Sequence, residues 1–121
     1  MKVKEIAFAC YPVNDMARAR KFYEEVFGFN PSTSFGEDTD DSQWVEYLVG
    51  DSAFSLGKHK DWKPSRDGVS IALEVEDLDE IVKRLKELNM EFKTEKIDFP
   101  GCSMASVYDT EGNVLVIHKR K

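Results

Sequence analysis

The feature of this sequence that most constrains its fold is an internal repeat. A shift of 62 residues places Val13-Asn14-Asp15 on Val75-Glu76-Asp77, and the same shift places Gly50-Asp51 on Gly112-Asn113. Each half therefore has the start of a helix near its beginning and a tight turn near its end. A unit of about 60 residues buries too little surface to be comfortably stable alone. The sequence predicts two modules of one kind that share a core.

Both helices are marked by capping residues. Asp15 begins the first helix, because its carboxylate can accept hydrogen bonds from unpaired backbone N–H groups, and Gly28 ends it in a left-handed conformation. Asp77 begins the second helix, where Glu80 completes a capping box, and Asn89 ends it. The apolar residues between these limits recur at three- and four-residue steps, which is typical of a helix with one buried face.

Alternation of apolar and polar residues predicts the strands. They cover residues 4–11, 29–35, 43–49, 52–56, 69–75, 91–97, 103–108 and 114–119. With the helices, each half has the order β-α-β-β-β. We therefore expect an α+β fold in which two tandem βαβββ modules form a curved mixed sheet around a cleft. The predicted single domain, 1–121, consists of module 1 (1–57), a linker (58–66) and module 2 (67–121).

Charge and cysteine content exclude several classes of protein. The formal net charge is -6 and the pI is about 4.9, which disfavours a nucleic-acid partner, since binding phosphates needs a basic surface. Cys10 and Cys102 form no CxxC motif, so neither a disulfide framework nor a zinc site is indicated. Residues 1–12 begin with charged side chains and contain no apolar run long enough for a signal peptide or a membrane span. These features predict a soluble cytoplasmic protein without membrane association.

The acidic loop at 36–42 resembles a calcium-binding loop only superficially. Counted from Asp38, the positions at which a tight calcium loop needs glycine and glutamate hold Gln43 and Val49. The sequence therefore does not predict a calcium site.

The opening stretch YPVNDMARARKFYEEVFGF and the closing stretch VYDTEGNVLVIHKRK, placed on a tandem β-α-β-β-β repeat, resemble the vicinal oxygen chelate superfamily. That group includes glyoxalase I, extradiol dioxygenases, fosfomycin-resistance transferases and bleomycin-binding proteins. The resemblance covers essentially the whole chain. It implies a homodimer, because such modules often pair across chains, but it does not fix a reaction.

In the metal-using members that the sequence resembles, each half contributes two ligands, one from its first strand and one from its last. The corresponding positions here hold Phe8, Ser55, Ser70 and Val116. None of these side chains is a usual ligand of a divalent transition metal. We therefore predict a protein with no metal and no other cofactor, in which these four residues line the ligand-binding cleft.

A shift of two residues keeps the same face of each strand and introduces Cys10 and His118, and a shift of four residues from Ser70 introduces Glu74 on its strand's same face. Glu74 is the candidate catalytic residue, because a carboxylate on the cleft side can act as a general base and burial would raise its pKa. His118 is a candidate ligand-binding residue or the polar end of a strand. Cys10 is predicted to face the cleft as a small hydrophobic residue, since no neighbouring cation is fixed to activate its thiol.

Two tryptophans complete the predicted ligand-binding residues. Trp44 lies in a strand, whereas Trp62 lies in the polar linker and has no evident core to join. An exposed aromatic side chain of that size suits a ligand or a dimer partner. His59, in the same linker between two lysines, is interpreted as a surface residue.

Three functions are compatible with these residues. The first is metal-independent binding of a small organic molecule, neutral or cationic, as in the bleomycin-resistance branch of the superfamily that the sequence resembles. The second is a metal-dependent lyase, isomerase or dioxygenase related to glyoxalase, which would require histidine or glutamate at the four ligand positions. The third is a non-catalytic regulatory module that dimerises. We rank metal-independent binding first because none of the four ligand positions holds histidine or glutamate.

Overall fold

The computed structural model describes residues 1–37 and 41–121. The chain divides into two compact units, Met1–Pro64 and Ser65–Lys121. Each unit consists of one helix and a four-stranded mixed sheet. Asp38, from which the calcium-loop spacing is counted, lies outside the described residues.

Unit 1 contains the first β-α-β-β-β module. Its elements are β1 (Ala9–Pro12), α1 (Met16–Phe27), β2 (Pro31–Phe35), β3 (Gln43–Val49) and β4 (Ser52–Lys58). The strands lie in the order β1-β4-β3-β2, with β1 parallel to β4 and the other neighbours antiparallel. A parallel pair needs a crossover connection, which here includes α1 and the β2–β3 hairpin.

The ends of α1 follow from its capping residues. A carboxylate oxygen of Asp15 accepts a hydrogen bond from the backbone N–H of Arg18 at 3.0 Å, and Gly28 adopts the left-handed conformation with φ of 70°. Both features match the prediction from sequence.

Aromatic side chains make up much of the core between α1 and its sheet. The ring centroids of Tyr23, on α1, and Phe54, on β4, lie 5.0 Å apart. Tyr47 on β3 is fully buried, and its hydroxyl donates a hydrogen bond of 2.8 Å to Glu24 on α1. Phe54 and Tyr47 therefore face the helix, and the residues that alternate with them face the opposite side of the sheet.

Unit 2 repeats this arrangement. Its elements are β5 (Ile71–Glu74), α2 (Leu78–Glu87), β6 (Phe92–Asp98), β7 (Cys102–Tyr108) and β8 (Val114–Arg120). The strand order is β5-β8-β7-β6, again with a parallel first pair. A carboxylate oxygen of Asp77 accepts a hydrogen bond of 3.0 Å from the N–H of Glu80, and Asn89 has a φ of 58° after the helix. Neither of the two described helices is long and apolar enough to cross a lipid bilayer.

The tandem βαβββ architecture that the sequence predicts is confirmed, but the first strands are shorter than predicted. Residues 4–8 were expected to begin a strand, whereas β1 starts at Ala9. Ala9 pairs with Phe54, so in this register residues 4–6 would lie opposite 49–51, before β4 begins, and only residues 7 and 8 would lie opposite its first two residues. The alternation therefore continues beyond the end of the neighbouring strand. Similarly, the strand predicted at 69–75 is reduced to β5, and Val69 is exposed.

The two hairpins differ in their turns. β3 and β4 pair down to Val49 with Ser52, which leaves Gly50-Asp51 as the turn. β7 and β8 pair down to Tyr108 with Val114, which leaves 109–113. In this longer turn the buried carboxylate of Asp109 accepts hydrogen bonds from the backbone N–H groups of Glu111 and Asn113, each 2.9 Å long. Buried backbone donors are thereby satisfied within the turn.

Candidate ligand-binding face

One side of the unit 1 sheet carries most of the predicted ligand-binding residues. This side, opposite α1, is called the aromatic face. It is defined by Phe8, Cys10, Trp44, Glu46, Ser55 and Trp62. Cys10, Ser55, Trp44 and Glu46 occupy the strand positions that alternate with the helix-facing residues, whereas the other two side chains reach this face from outside the strands.

The floor of the aromatic face is a row across three strands. Ser55 in β4 pairs with Cys10 in β1 and with Glu46 in β3. The hydroxyl of Ser55, which is fully buried, donates to Oε1 of Glu46 at a long 3.5 Å. A carboxylate, a hydroxyl and a thiol therefore lie side by side.

Three aromatic side chains lie around this row. The rings of Phe8, before β1, and Trp44, in β3, meet edge to face with centroids 5.1 Å apart. Because β4 separates β1 from β3, this contact passes over β4. The indole of Trp62 lies on Gly57: a Cβ atom at position 57 would stand 2.6 Å from Cζ3 of Trp62. Glycine at this position is what lets the indole approach the backbone of β4.

The environment of Cys10 fits a packing role. Its Sγ lies 3.3 Å from the position that a Cβ of residue 57 would take, next to the indole of Trp62. Burial raises the pKa of the Cys10 thiol to about 11. Since the thiolate is the nucleophilic form, the neutral thiol that prevails at physiological pH is a poor nucleophile.

In unit 2, Glu74 and His118 lie next to each other as register partners on β5 and β8. Nδ1 of His118 is 2.6 Å from Oε1 of Glu74, and the backbone N–H of Arg120 donates to Oε2 at 2.7 Å. An ionised carboxylate only accepts hydrogen bonds, so Nδ1 of His118 carries the proton in this contact. The Nε2 atom is left for another partner.

The predicted direction of the pKa shift of Glu74 was wrong. Burial was expected to raise it, but the side chain is 49% exposed. The backbone N–H of Arg120 and then the imidazole of His118 donate to the carboxylate and hold its pKa below the usual value. Glu74 is therefore a weak base that stays ionised.

The chain matches one known protein family. A family model described as the Glyoxalase/Bleomycin resistance protein/Dioxygenase superfamily matches residues 5–117. The chain belongs to this superfamily. A search of curated proteins found no match.

Several solved structures have the same fold as this chain. A glyoxylase/bleomycin resistance protein/dioxygenase domain from Frankia sp. EAN1pec is 17% identical, with a TM-score of 0.78 over 99% of this chain and 100% of that one. The fosfomycin resistance protein FosX from Listeria monocytogenes is 16% identical, with a TM-score of 0.74 over 99% and 96%. TnmS3, an antibiotic binding protein from Streptomyces sp. CB03234, is 22% identical, with a TM-score of 0.73 over 100% and 99%.

The four positions that correspond by resemblance to metal ligands do not fit a metal. Phe8 and Val116 have no donor atom, the hydroxyl of Ser55 is directed to Glu46, and Ser70 lies before β5 and is exposed. Across residues 1–37 and 41–121, no group of three or more His, Cys, Asp or Glu side chains is placed to hold a metal ion. A metal-ion mechanism therefore has no donor set here among the described side chains.

The structure also locates the remaining candidates. Val116 in β8 pairs with Ala72 in β5, as Ser55 pairs with Cys10 in unit 1; the two candidates are thus equivalent positions of the repeat. His59 is half-buried, and its ring centroid lies 5.4 Å from that of Trp62.

Sequence reasoning missed Glu46 on the aromatic face and Phe35 on the neighbouring strand. Glu46 stands two residues after Trp44 in β3, so the alternation that selects the tryptophan also selects the glutamate. Phe35 in β2 pairs with Trp44 and is exposed. Its strand contains Pro31 and lacks regular alternation, so the sequence did not indicate which side of the sheet Phe35 faces.

Proposed function

We propose that this protein binds a small, partly aromatic organic molecule on the aromatic face, without a metal ion. The observation that carries the proposal is the indole of Trp62 lying on Gly57 while 44% of its surface stays exposed. A large ring held at a glycine on an open sheet offers a flat surface for stacking. Burial of apolar ligand surface then supplies affinity without a catalytic group.

Two relatives support this class of function. TnmS3 is an antibiotic binding protein by its title, and FosX is a fosfomycin resistance protein. A FosX structure holds Mn(II) and a dihydroxypropylphosphonic acid, a ligand that is anionic at neutral pH. The aromatic face, which carries a carboxylate and lacks a metal-binding set, suits a neutral or cationic ligand better.

The test is a ligand screen on protein treated with a chelator. Aromatic compounds of drug-like size are expected to shift the melting temperature and the tryptophan emission, because Trp44 and Trp62 are the two tryptophans of the chain. The Trp62→Ala variant should lose most of the binding. Leu88→Ala is the matched control, since Leu88 has a similar exposure of 46% but lies at the end of α2.

The proposal fails if binding survives Trp62→Ala unchanged, or if stoichiometric metal restores binding that the chelator removed. Elemental analysis of untagged protein gives the metal content independently.

A second candidate function is proton transfer by a glyoxalase-like lyase or isomerase, with Glu74 and His118 as its acting residues. The 2.6 Å hydrogen bond between His118 and Glu74 favours this function. When a carboxylate accepts a hydrogen bond from Nδ1–H of a histidine, the unprotonated Nε2 atom can act as the base. In this function Glu74 orients the imidazole. Lyase and isomerase assays with His118→Gln and Glu74→Gln test it; turnover by the wild type that neither variant reduces excludes it.

We also propose that the protein is cytoplasmic and that its two modules belong to one domain.

We further propose that the protein is a homodimer. Val3 and Ile6 are 82% and 88% exposed, and they precede β1, which is an edge strand. Exposed apolar side chains beside an open strand edge suit pairing with a second copy. Light scattering should give twice the chain mass of 13.9 kDa, and Ile6→Lys should shift the protein to monomer. A monomeric wild type at micromolar concentration overturns this.

A further inference from the structure

The aromatic face contains one charged strand residue. The strand positions on this side within 9–12, 31–35, 43–49 and 52–58 are otherwise aromatic, aliphatic, small or hydroxyl-bearing. Glu46 is half-buried among them. A carboxylate that is partly withdrawn from water is costly unless a cation or several hydrogen-bond donors compensate it.

Glu46 has little compensation within the described residues. Its carboxylate receives one hydrogen bond, from the hydroxyl of Ser55, at the long distance of 3.5 Å. No lysine or arginine among the described residues forms an ion pair with it. A half-buried carboxylate with only one weak hydrogen-bond donor would be stabilised by a positively charged group placed beside it.

Glu24, the other half-buried glutamate of unit 1, provides an internal comparison. One of its carboxylate oxygens accepts a 2.7 Å hydrogen bond from Nε of Arg20 and a 2.8 Å hydrogen bond from the hydroxyl of Tyr47. Desolvation alone would raise its pKa, but these two donors together lower it. The same fold therefore satisfies one half-buried carboxylate on the helix side and leaves the one on the open side short of donors.

We propose that Glu46 anchors the positive group of an organic cation, an aryl- or alkylammonium, whose apolar part lies against Trp44 and Trp62. This inference rests on the proposed binding function and narrows its ligand class. Aromatic ring faces attract cations, and Glu46 stands two residues from Trp44 on the same side of β3. The net charge of -6 adds a long-range attraction for cations.

The test compares two isosteric probes by NMR. Benzyltrimethylammonium carries a positive charge, and neopentylbenzene is its neutral carbon isostere. Binding is followed by the indole N–H signals of Trp44 and Trp62, assigned with Trp→Phe variants. We expect the cation to bind about 10-fold more tightly than the isostere, which corresponds to about 1.4 kcal/mol.

Substitutions of Glu46 then separate its role from that of overall charge. Glu46→Gln should abolish the preference for the cation and leave binding of the neutral probe unchanged, whereas Glu46→Asp should retain part of the preference. The matched control is Glu25→Gln, which removes one charge from an exposed position on α1 and should keep the preference. Amide spectra confirm that each variant is folded.

The outcomes distinguish this inference from the function on which it rests. Equal binding of both probes, unaffected by Glu46→Gln, overturns the role of Glu46 and leaves aromatic binding standing. An equal loss in Glu25→Gln also overturns it, because non-specific attraction would then explain the preference. If neither probe shifts either indole signal, both the inference and the proposed binding function are wrong.

Discussion

Replacement of Gly57 by alanine should displace the Trp62 indole without unfolding the protein. The added Cβ would stand 2.6 Å from Cζ3 of Trp62, whereas ordinary contact begins at 3.4 Å. The ring must therefore move by about 0.8 Å. Trp62 follows β4 in the 59–64 segment, so its side chain can move more readily than the backbone of the strand.

The energetic cost follows from the exposure of the ring. With 44% of Trp62 exposed, its full release would uncover roughly 110 Å² and cost about 3 kcal/mol. A displacement below 1 Å loses about a quarter to a half of the contact energy, or about 1 kcal/mol. Glycine-to-alanine replacement regains about 0.4–1 kcal/mol by restricting the unfolded chain. The free energy of unfolding of Gly57→Ala should thus stay within about 1 kcal/mol of the wild type.

The assay is tryptophan emission in a Trp44→Phe background, combined with urea unfolding followed by circular dichroism. Gly57→Ala should change the Trp62 emission and leave the unfolding midpoint nearly constant. Gly28→Ala should do the opposite: nothing lies near its Cβ, but its φ of 70° should cost alanine about 1–2 kcal/mol. Unchanged Trp62 emission in Gly57→Ala would refute the placement of the indole.

Four further predictions concern the two units. Tyr47→Phe removes the 2.8 Å hydrogen bond to Glu24 and should cost about 1–2 kcal/mol in urea unfolding. Because the folded pKa of Glu24 is lowered, its stabilisation is present above the unfolded pKa of about 4.3 and is lost as pH falls through the folded value; the Tyr47→Phe deficit should therefore shrink in acid. In a Cys102→Ser variant, iodoacetamide alkylation of Cys10 should rise with an apparent pKa of about 11. Asp77→Ala removes the cap of α2 and should cost about 1 kcal/mol in thermal unfolding.

The local elements of the fold were predictable because their signals are local. Asp15 and Gly28 limit α1 through contacts within a few residues, and the second helix follows the same rule. The extent of β1 was not predictable, because a strand exists only where a neighbour pairs with it: residues 4–6 lie beyond the end of β4 at Ser52, and the first two residues of β4 are not paired with β1. Alternation in residues 4–8 indicates an extended chain and does not identify a partner.

For the candidate site, the sequence indicated which side chains share a face but not their contacts. Period-two alternation predicted that Cys10 and Ser55 face the cleft side of their strands, but it did not predict that the two residues are register partners. The position of Trp62 on Gly57 depends on how the chain turns after β4, which no periodicity specifies. The pKa direction of Glu74 was missed because it depends on a backbone donor, Arg120, 46 residues away.

The unequal hairpin turns have a consequence for engineering the chain. The turn at 109–113 holds one residue more than the equivalent stretch 49–52, yet Ser55 and Val116 keep the same place in the ladder beside β1 and β5. A change of length at the hairpin tip therefore leaves the strand register unchanged. An insertion of one residue inside a strand would instead move every following side chain to the opposite face of the sheet. A short epitope tag or fluorescent label inserted between Gly50 and Asp51, both exposed, should leave the aromatic face unaltered.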